Sequence, residues 1–80
     1  MVELTFYHRM GCHLCDQMLQ EIEVIRATHE FQLIRVDIDR SEQLREAYGI
    51  RIPCLEGPGG ELLSEHFLDR SRFLSYLRGV

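Results

Sequence analysis

The stretch RMGCHLCDQ, residues 9–17, decides how the rest of the sequence is interpreted. Cys12 and Cys15 stand three residues apart, directly after Gly11 and at the start of a predicted helix. Side chains at positions i and i+3 of a helix are close enough for a disulfide to form and open with little backbone movement. The positive end of the helix dipole also favours a thiolate over a thiol. The spacing therefore predicts a site for thiol–disulfide exchange.

A structural zinc site is the main alternative for such a pair. It needs four ligands, usually two pairs at short spacing. The other candidate ligands are single residues that form no second pair: Cys54, His8, His13, His29 and His66. We therefore expect no metal site, and we assign no role to His8, His29 or His66. Two cysteines that serve only packing are disfavoured too, because polar His13 and Asp16 surround them.

Length, charge and hydropathy exclude several classes of protein. The 80 residues predict a single domain, 1–80, and 45% of them are hydrophobic, which is ordinary for a folded protein. The net charge of −4 disfavours nucleic-acid binding, since that affinity comes mainly from basic surfaces. No apolar run approaches the ~20 residues that cross a bilayer, and MVELTFYHRM lacks the features of a signal peptide. We expect a cytoplasmic protein that contacts neither nucleic acid nor membrane.

Hydrophobic periodicity predicts an alternation of strands and helices. Alternating apolar residues predict strands, apolar steps of three and four predict helices, and GPGG (57–60) predicts a hairpin turn. The predicted elements are a strand over 2–8, a helix over 12–28, a strand over 30–39, a helix over 39–49, hairpin strands over 52–57 and 61–67, and a helix after Asp69. The expected fold class is α/β, with the order βαβαββα, a mixed four-stranded sheet and three helices.

The same pattern predicts details of the three helices. The apolar stripe expected on the first helix consists of Leu14, Met18, Leu19, Ile22 and Ile25. Asp39 and Glu42 have the spacing of a capping box, which predicts that the second helix begins at Asp39. Asp69 is the predicted cap of the last helix. The side chains that this helix should bury are Phe73, Leu74 and Leu77.

Two segments carry a family resemblance. TFYHRMGCHLC (5–15) resembles the first strand and active-site helix start of glutaredoxins. YGIRIPCL (48–55) is similar to the thioredoxin segment that leads into the cis-proline of that superfamily. With the order of elements, the sequence resembles a short glutaredoxin-like protein of the thioredoxin superfamily. The resemblance implies a thioredoxin-like fold and a cis bond at Pro53.

The resemblance also implies roles for individual residues. Cys12 would be the attacking thiol and Cys15 the resolving one. The backbone of Ile52, before Pro53, would pair with a bound peptide or with glutathione. Arg9 matches the Lys that many glutaredoxins place near the thiolate.

Two further residues have expected roles near a bound molecule. Asp69 lies near the start of the last helix, where glutaredoxins hold the γ-glutamyl end of glutathione. His13, between the cysteines, either stabilises the thiolate as an imidazolium or is an exposed side chain without a role. The segment HFLDRS (66–71) stands where glutaredoxins have Gly-Gly. We therefore expect glutathione to serve poorly as the sole reductant.

The cysteines should differ in exposure. Cys12, at the start of the helix, should reach solvent and face the free N–H groups of residues 14 and 15, whereas Cys15 should be partly covered. Cys54, directly after the predicted cis-proline, is either a third redox partner or a small core residue. We favour the core, because free cysteine is among the most buried residue types.

These observations predict a small thiol–disulfide oxidoreductase. It would use the Cys12/Cys15 couple for cell redox homeostasis, bind no cofactor and act as a monomer. Its partners would be disulfide-containing proteins, and its reductant glutathione or a flavoprotein of the thioredoxin-reductase type. Two alternatives stay open at this point. The domain could be a redox adaptor or thiol sensor without turnover, or it could ligate an iron–sulfur cluster across a dimer through Cys12 and glutathione.

Overall fold

Four β-strands and three α-helices follow one another in the predicted order. The computed structural model describes all 80 residues, Met1–Val80. The strands are β1 (Glu3–His8), β2 (Gln32–Asp37), β3 (Cys54–Glu56) and β4 (Leu62–Glu65). The helices are α1 (His13–Arg26), α2 (Glu42–Tyr48) and α3 (Arg70–Arg78), with a 3₁₀ turn (Ile38–Arg40) before α2.

The strands form one mixed sheet in the order β2-β1-β3-β4. β1 and β2 are parallel, with Leu4 opposite Leu33, and α1 makes the crossover between them. β3 runs antiparallel to β1, with Phe6 opposite Leu55, and antiparallel to β4. The expected α/β class with a mixed four-stranded sheet and three helices is therefore confirmed.

One face of the sheet carries the apolar core. Side chains alternate along a strand, so Leu4, Phe6 and Leu55 point to the same face, where α1 and α3 pack. The helices add to this core Cys15, Met18, Ile22 and Ile25 from α1 and Phe73 and Leu77 from α3. Because α1 is packed against β1, its first turn is fixed at the end of that strand.

The buried stripe of α1 differs from the predicted one at its first position. The buried side chains step by three and four residues from Cys15 to Ile25, whereas Leu14 is 37% exposed. Leu14 lies about 100° around the helix from Cys15, so the two side chains cannot both face the sheet. The prediction that Leu14 belongs to the core stripe is wrong, and Cys15 takes that position.

The prediction that the second helix begins at Asp39 is also wrong. Asp37 caps a single 3₁₀ turn by accepting a hydrogen bond from the Asp39 N–H at 2.9 Å. Ser41 then caps α2, and its Oγ accepts from the Leu44 N–H at 3.0 Å. Two capping side chains in succession divide the segment, because each satisfies the free N–H groups of its own turn.

The last helix begins where the sequence predicts. The Asp69 carboxylate accepts a hydrogen bond from the Arg72 N–H at 3.1 Å and caps α3. Phe73 and Leu77 are buried as expected, and Leu74 is half-buried at the edge of the core. The longest of the three helices has 14 residues, and none has the length and apolar character of a membrane-spanning helix.

The opposite face of the sheet is more polar and is covered by α2. Tyr7 of β1 lies beside Cys54 of β3 on this face. Tyr48, the last residue of α2, stacks on Tyr7 with ring centroids 3.8 Å apart. The sheet therefore separates an apolar layer from a layer that contains several titratable groups.

We expect Phe73→Ala to lower the free energy of unfolding by about 3–5 kcal/mol, because the change leaves a cavity in the core. Phe73 is fully buried and meets Phe31 edge to face, with ring centroids 5.6 Å apart. Phe67→Ala is the matched control, since Phe67 is 68% exposed. Its effect should stay below about 0.5 kcal/mol. Denaturant unfolding followed by circular dichroism measures both, and equal losses would contradict this description of the core.

Candidate active site

Cys12 and Cys15 form a pair at the start of α1. Cys12 is the N-cap of the helix and Cys15 lies in its first turn. The two sulfurs are paired as a disulfide, and the Cα atoms are 5.2 Å apart, within the range that disulfides adopt. No group of three or more His, Cys, Asp or Glu side chains in the structure could hold a metal ion.

The two sulfurs have different surroundings. Cys12 is half-buried, whereas Cys15 is 2% exposed and belongs to the apolar core. The N–H of Cys15 donates to the Cys12 Sγ at 3.1 Å. This contact supports the expectation that the N–H of residue 15 faces Cys12, whereas the N–H of Leu14 makes no hydrogen bond with that sulfur. The difference in exposure also has the expected direction.

Gly11 makes the turn that brings Cys12 to the helix start. Its φ of +77° lies in the left-handed region, which glycine adopts without a Cβ clash. Arg9 precedes this turn, and the Cys12 N–H donates to its carbonyl at 3.4 Å. The Arg9 guanidinium makes three contacts with the Asp39 carboxylate, the shortest of 2.9 Å from Nη2 to Oδ1. The Arg9 guanidinium is thus paired with Asp39, and this hydrogen bonding lowers the pKa of the Asp39 carboxyl.

The loop before β3 contains the expected cis-proline. The Ile52–Pro53 peptide bond is cis, and Pro53 is buried. The N–H of Ile52 donates to the Tyr48 carbonyl at 3.2 Å. The Ile52 carbonyl accepts no backbone hydrogen bond within the chain. The carbonyl is thus the group of Ile52 that can pair with a bound peptide, and this role stays a prediction.

His66, to which the sequence assigned no role, contacts the same loop. The imidazole Nε2 of His66 lies 2.7 Å from the Ile50 carbonyl, and the backbone N–H of His66 donates to the Pro53 carbonyl at 2.7 Å. Leu14, between the two cysteines, lines a small cavity of about 100 Å³ together with His66 and Phe67. His66 therefore connects the cis-proline loop to the surface beside the cysteine pair. No sequence signal marks it, because both contacts depend on the tertiary structure.

Asp69 and His13 lie at helix starts. Besides its carboxylate cap, Asp69 donates its N–H to the buried Ser64 Oγ at 2.8 Å. His13 is the first residue of α1, and its exposed side chain makes no hydrogen bond or ion pair within the chain. Both residues occupy the positions that the sequence predicts. Their roles in binding or thiolate stabilisation stay predictions.

Comparison with known proteins shows where this arrangement belongs. The sequence matches the family described as Glutaredoxin-like domain (DUF836) over residues 3–78. The chain belongs to this glutaredoxin-like family. A search of curated proteins gave no match for the glutaredoxin-like domain.

Solved structures extend the similarity of the glutaredoxin-like domain to thioredoxins. Protein Ne2328 from Nitrosomonas europaea is 34% identical with a TM-score of 0.83, and the match covers 95% of this chain and 91% of that one. A protein from X. campestris is 34% identical with a TM-score of 0.73, covering 96% and 97% of the two chains. Thioredoxin from Trichomonas vaginalis is 25% identical with a TM-score of 0.66, covering 98% and 78%. The predicted membership of the thioredoxin superfamily is confirmed.

The third cysteine of the glutaredoxin-like domain is buried on the α2 face of the sheet. Cys54 is fully buried, and its sulfur lies 3.8 Å from Arg51 Nη2 and 4.0 Å from Glu56 Oε2. Its burial agrees with the sequence analysis. Its neighbours are polar, however, and Cys54 lies outside the main apolar cluster. Burial raises the pKa of the Cys54 thiol to about 11, although Arg51 acts in the opposite direction.

Arg51 and Tyr48 complete this polar cluster. Arg51 Nε donates to Glu65 Oε2 at 2.6 Å, and its guanidinium lies over the Tyr48 ring, 5.0 Å from the centroid. The Tyr48 hydroxyl donates to Glu56 Oε2 at 3.0 Å. Burial is the largest cause that raises the pKa of Tyr48, followed by the contacts with Tyr7 and Glu56. The cluster holds the segment after α2 against β3 and β4.

We expect the oxidised protein to lose stability as the pH rises from about 8.5 to about 11, partly through Cys54. Cys54 is its only free thiol. The unfolded chain releases this proton near pH 8.5, whereas the folded chain holds it until about pH 11, so rising pH favours unfolding in this window. Urea unfolding at pH 7.5, 8.5 and 9.5 measures the effect.

Cys54→Ala is the control for this prediction. The variant should keep the alkaline loss that comes from Tyr48, because the pKa of Tyr48 is raised as well. The difference in pH dependence between the native protein and the variant isolates Cys54. Identical pH dependence in the two proteins would show that the Cys54 proton is not held by burial.

Proposed function

We propose that this glutaredoxin-like domain is a thiol–disulfide oxidoreductase that reduces protein disulfides with the Cys12/Cys15 couple. The observation that carries the proposal is the asymmetry of the pair. Cys12 is half-buried at the start of α1 with the Cys15 N–H on its sulfur, whereas Cys15 is packed in the core. The helix end and this hydrogen bond favour the thiolate of Cys12 over its thiol. Burial disfavours the ionised form of Cys15.

The reaction begins with the reduced protein. The Cys12 thiolate attacks one sulfur of a substrate disulfide, which forms a mixed disulfide and releases the other substrate sulfur as a thiolate that takes up a proton. Cys15 then gives up its proton and attacks the Cys12 sulfur. The Cys12–Cys15 disulfide forms, and the substrate leaves as a dithiol. Two electrons have passed from the protein to the substrate, and an external dithiol or flavoprotein reductant restores the couple.

Residues around the pair supply substrate binding in this proposal. The free carbonyl of Ile52, directly before Pro53, accepts a hydrogen bond from the substrate backbone. His13, exposed beside Cys12, adds positive charge near the thiolate when protonated. Arg9 acts at the edge of the site, where Asp39 holds its guanidinium.

The proposed reductant is a flavoprotein of the thioredoxin-reductase type, with the reaction serving redox homeostasis in the cytoplasm. Glutathione carries two carboxylates, which arginine side chains bind well when they are not already paired. Arg9 is paired with Asp39, and Arg51 is paired with Glu65. Phe67, 68% exposed, stands near the start of α3. Because Arg9 and Arg51 are already paired with carboxylates, the surface favours a reductant other than glutathione.

We expect Cys15→Ser to accumulate a mixed disulfide at Cys12, because the resolving step is removed while the attacking thiolate remains. Cys12→Ser should form no mixed disulfide through Cys15. The reduced variants are incubated with oxidised insulin, and peptide mass identifies the modified cysteine. Cys54→Ser is the matched control and should resolve the mixed disulfide like the native protein.

Alkylation of the reduced native protein at increasing pH tests the same assignment without substrate. Cys12 should react first and Cys54 last, since Cys54 is fully buried and holds its proton to about pH 11. Modification of Cys15 or Cys54 before Cys12 below pH 7 would overturn the proposed roles.

We expect glutathione to support less than about a tenth of the disulfide-reduction rate that an equal thiol concentration of dithiothreitol supports. The expected tenfold difference corresponds to about 1.4 kcal/mol, the scale of one charge-assisted hydrogen bond that the paired arginines do not provide. Insulin reduction with each reductant, corrected for the reaction without protein, measures the ratio. Similar rates with both reductants would remove this part of the proposal.

A further inference from the structure

His66 has an unusual backbone conformation. Its φ is +68°, and it is the one non-glycine residue of the chain with a positive φ. The N–H of Phe67 donates to the Glu65 carbonyl at 2.8 Å, so His66 is the central residue of a γ-turn. A γ-turn with positive φ is rare and strained for a residue with a side chain. The other two positive-φ positions, Gly11 and Gly60, are glycines, which adopt such angles freely.

The imidazole makes a contact that glycine could not supply. Nε2 of His66 lies 2.7 Å from the Ile50 carbonyl, and since a carbonyl only accepts, Nε2 carries the hydrogen. The backbone N–H of His66 donates to the Pro53 carbonyl at 2.7 Å. The neighbouring Glu65 accepts from Arg51 Nε at 2.6 Å. The pair Glu65 and His66 thus contacts the segment 50–53 at three points.

His66 holds this segment at its exposed end. Ile50 is 91% exposed, so its side chain adds no packing that would hold the loop. The N–H groups of Arg51 and Ile52 both donate to the Tyr48 carbonyl, which fixes only the side toward α2. The backbone around the Ile52 carbonyl is thus held on both sides, by Tyr48 at the Ile52 N–H and by His66 at the carbonyls of Ile50 and Pro53, while the Pro53 ring is buried.

We propose that His66 is a positioning residue for disulfide-containing polypeptides. By holding the Ile50 carbonyl, its imidazole fixes segment 50–53, so that the free Ile52 carbonyl can pair with the backbone of the substrate beside Cys12. The inference rests on the proposed function. His66 takes no part in the chemistry at sulfur, so its effect is confined to substrates that have a peptide backbone.

Four forms of the protein separate the hydrogen bond from the backbone strain. His66→Gly removes the imidazole and relieves the positive φ. His66→Met and His66→Gln are similar in size and both keep the unfavourable φ, but only Gln retains an N–H donor at comparable reach. Native protein is the fourth form. Each is fully reduced, freed of reductant, and mixed with oxidised insulin or with hydroxyethyl disulfide, which has no peptide backbone.

Formation of the Cys12–Cys15 disulfide is followed by alkylation and mass. His66→Gly and His66→Met should reduce insulin about fivefold more slowly, the effect of losing one hydrogen bond, and His66→Gln should recover to within about twofold of the native rate. All four forms should react with hydroxyethyl disulfide at the same rate. The order of their thermal unfolding temperatures should differ from the order of their rates on insulin. His66→Gly removes the backbone strain, whereas His66→Met keeps it.

Two results overturn the inference alone. One is a native rate on insulin in His66→Gly and His66→Met, and the other is an equal slowing on both substrates that follows thermal stability. Failure of the native protein to reduce either disulfide would instead overturn the proposed function. In that case the inference about His66 is overturned as well. Slower insulin reduction only in His66→Gly and His66→Met, the variants without a donor, supports both the proposed function and the inference.

Discussion

The packing of α1 against the sheet determines where the cysteines stand. The stripe from Cys15 to Ile25 is buried against Leu4 and Phe6, so the helix cannot rotate without exposing apolar side chains. Each such side chain contributes roughly 1.5–3 kcal/mol when it is buried, whereas one hydrogen bond contributes a net ~1 kcal/mol. Packing therefore fixes the helix, and the contact between the Cys15 N–H and the Cys12 sulfur follows from it. Cys12, one turn earlier, is left at the rim of the core.

The second face of the sheet serves the site in a different way. It holds segment 50–53 through polar and aromatic contacts of Tyr48, Arg51 and Glu65. An exposed ion pair alone would contribute little, since solvent and salt screen it. Here Arg51 contacts a carboxylate and an aromatic ring together, and the backbone N–H groups of Arg51 and Ile52 both donate to the Tyr48 carbonyl. The cysteine helix is thus held by apolar packing, and segment 50–53 is held in large part by hydrogen bonds and the Arg51 ion pair.

Much of this arrangement could be predicted from the sequence because its determinants are local. The strand alternation around Phe6, the cap at Asp69 and the cysteine spacing at Cys12 each depend on neighbouring residues, and the structure agrees with them. Two errors, at Leu14 and Asp39, arose where two local patterns competed for one segment. Periodicity allowed either Leu14 or Cys15 on the buried stripe, and only the position of the sheet decides between them.

The contacts that could not be predicted join residues far apart in the chain. His66 reaches the Ile50 carbonyl across 16 positions, and Arg9 reaches Asp39 across 30. No spacing rule connects such residues before the fold is known. Likewise, the polar surroundings of Cys54 come from Glu56 and from the segment after α2. The sequence alone indicated a core position for Cys54, because free cysteine is generally buried.

The position of Cys54 bears on which internal disulfides the three cysteines can form. Three thiols would ordinarily permit three different internal disulfides, two of which would leave the protein in a dead-end state. Cys54 faces the α2 layer, whereas Cys15 faces the apolar core on the other side of the sheet. The sheet therefore separates Cys15 from Cys54, and the disulfide joins Cys12 to Cys15 and leaves Cys54 as a free thiol. In the proposed reaction the domain therefore carries one pair of electrons in its reduced dithiol and gives that pair up when the Cys12–Cys15 bond forms.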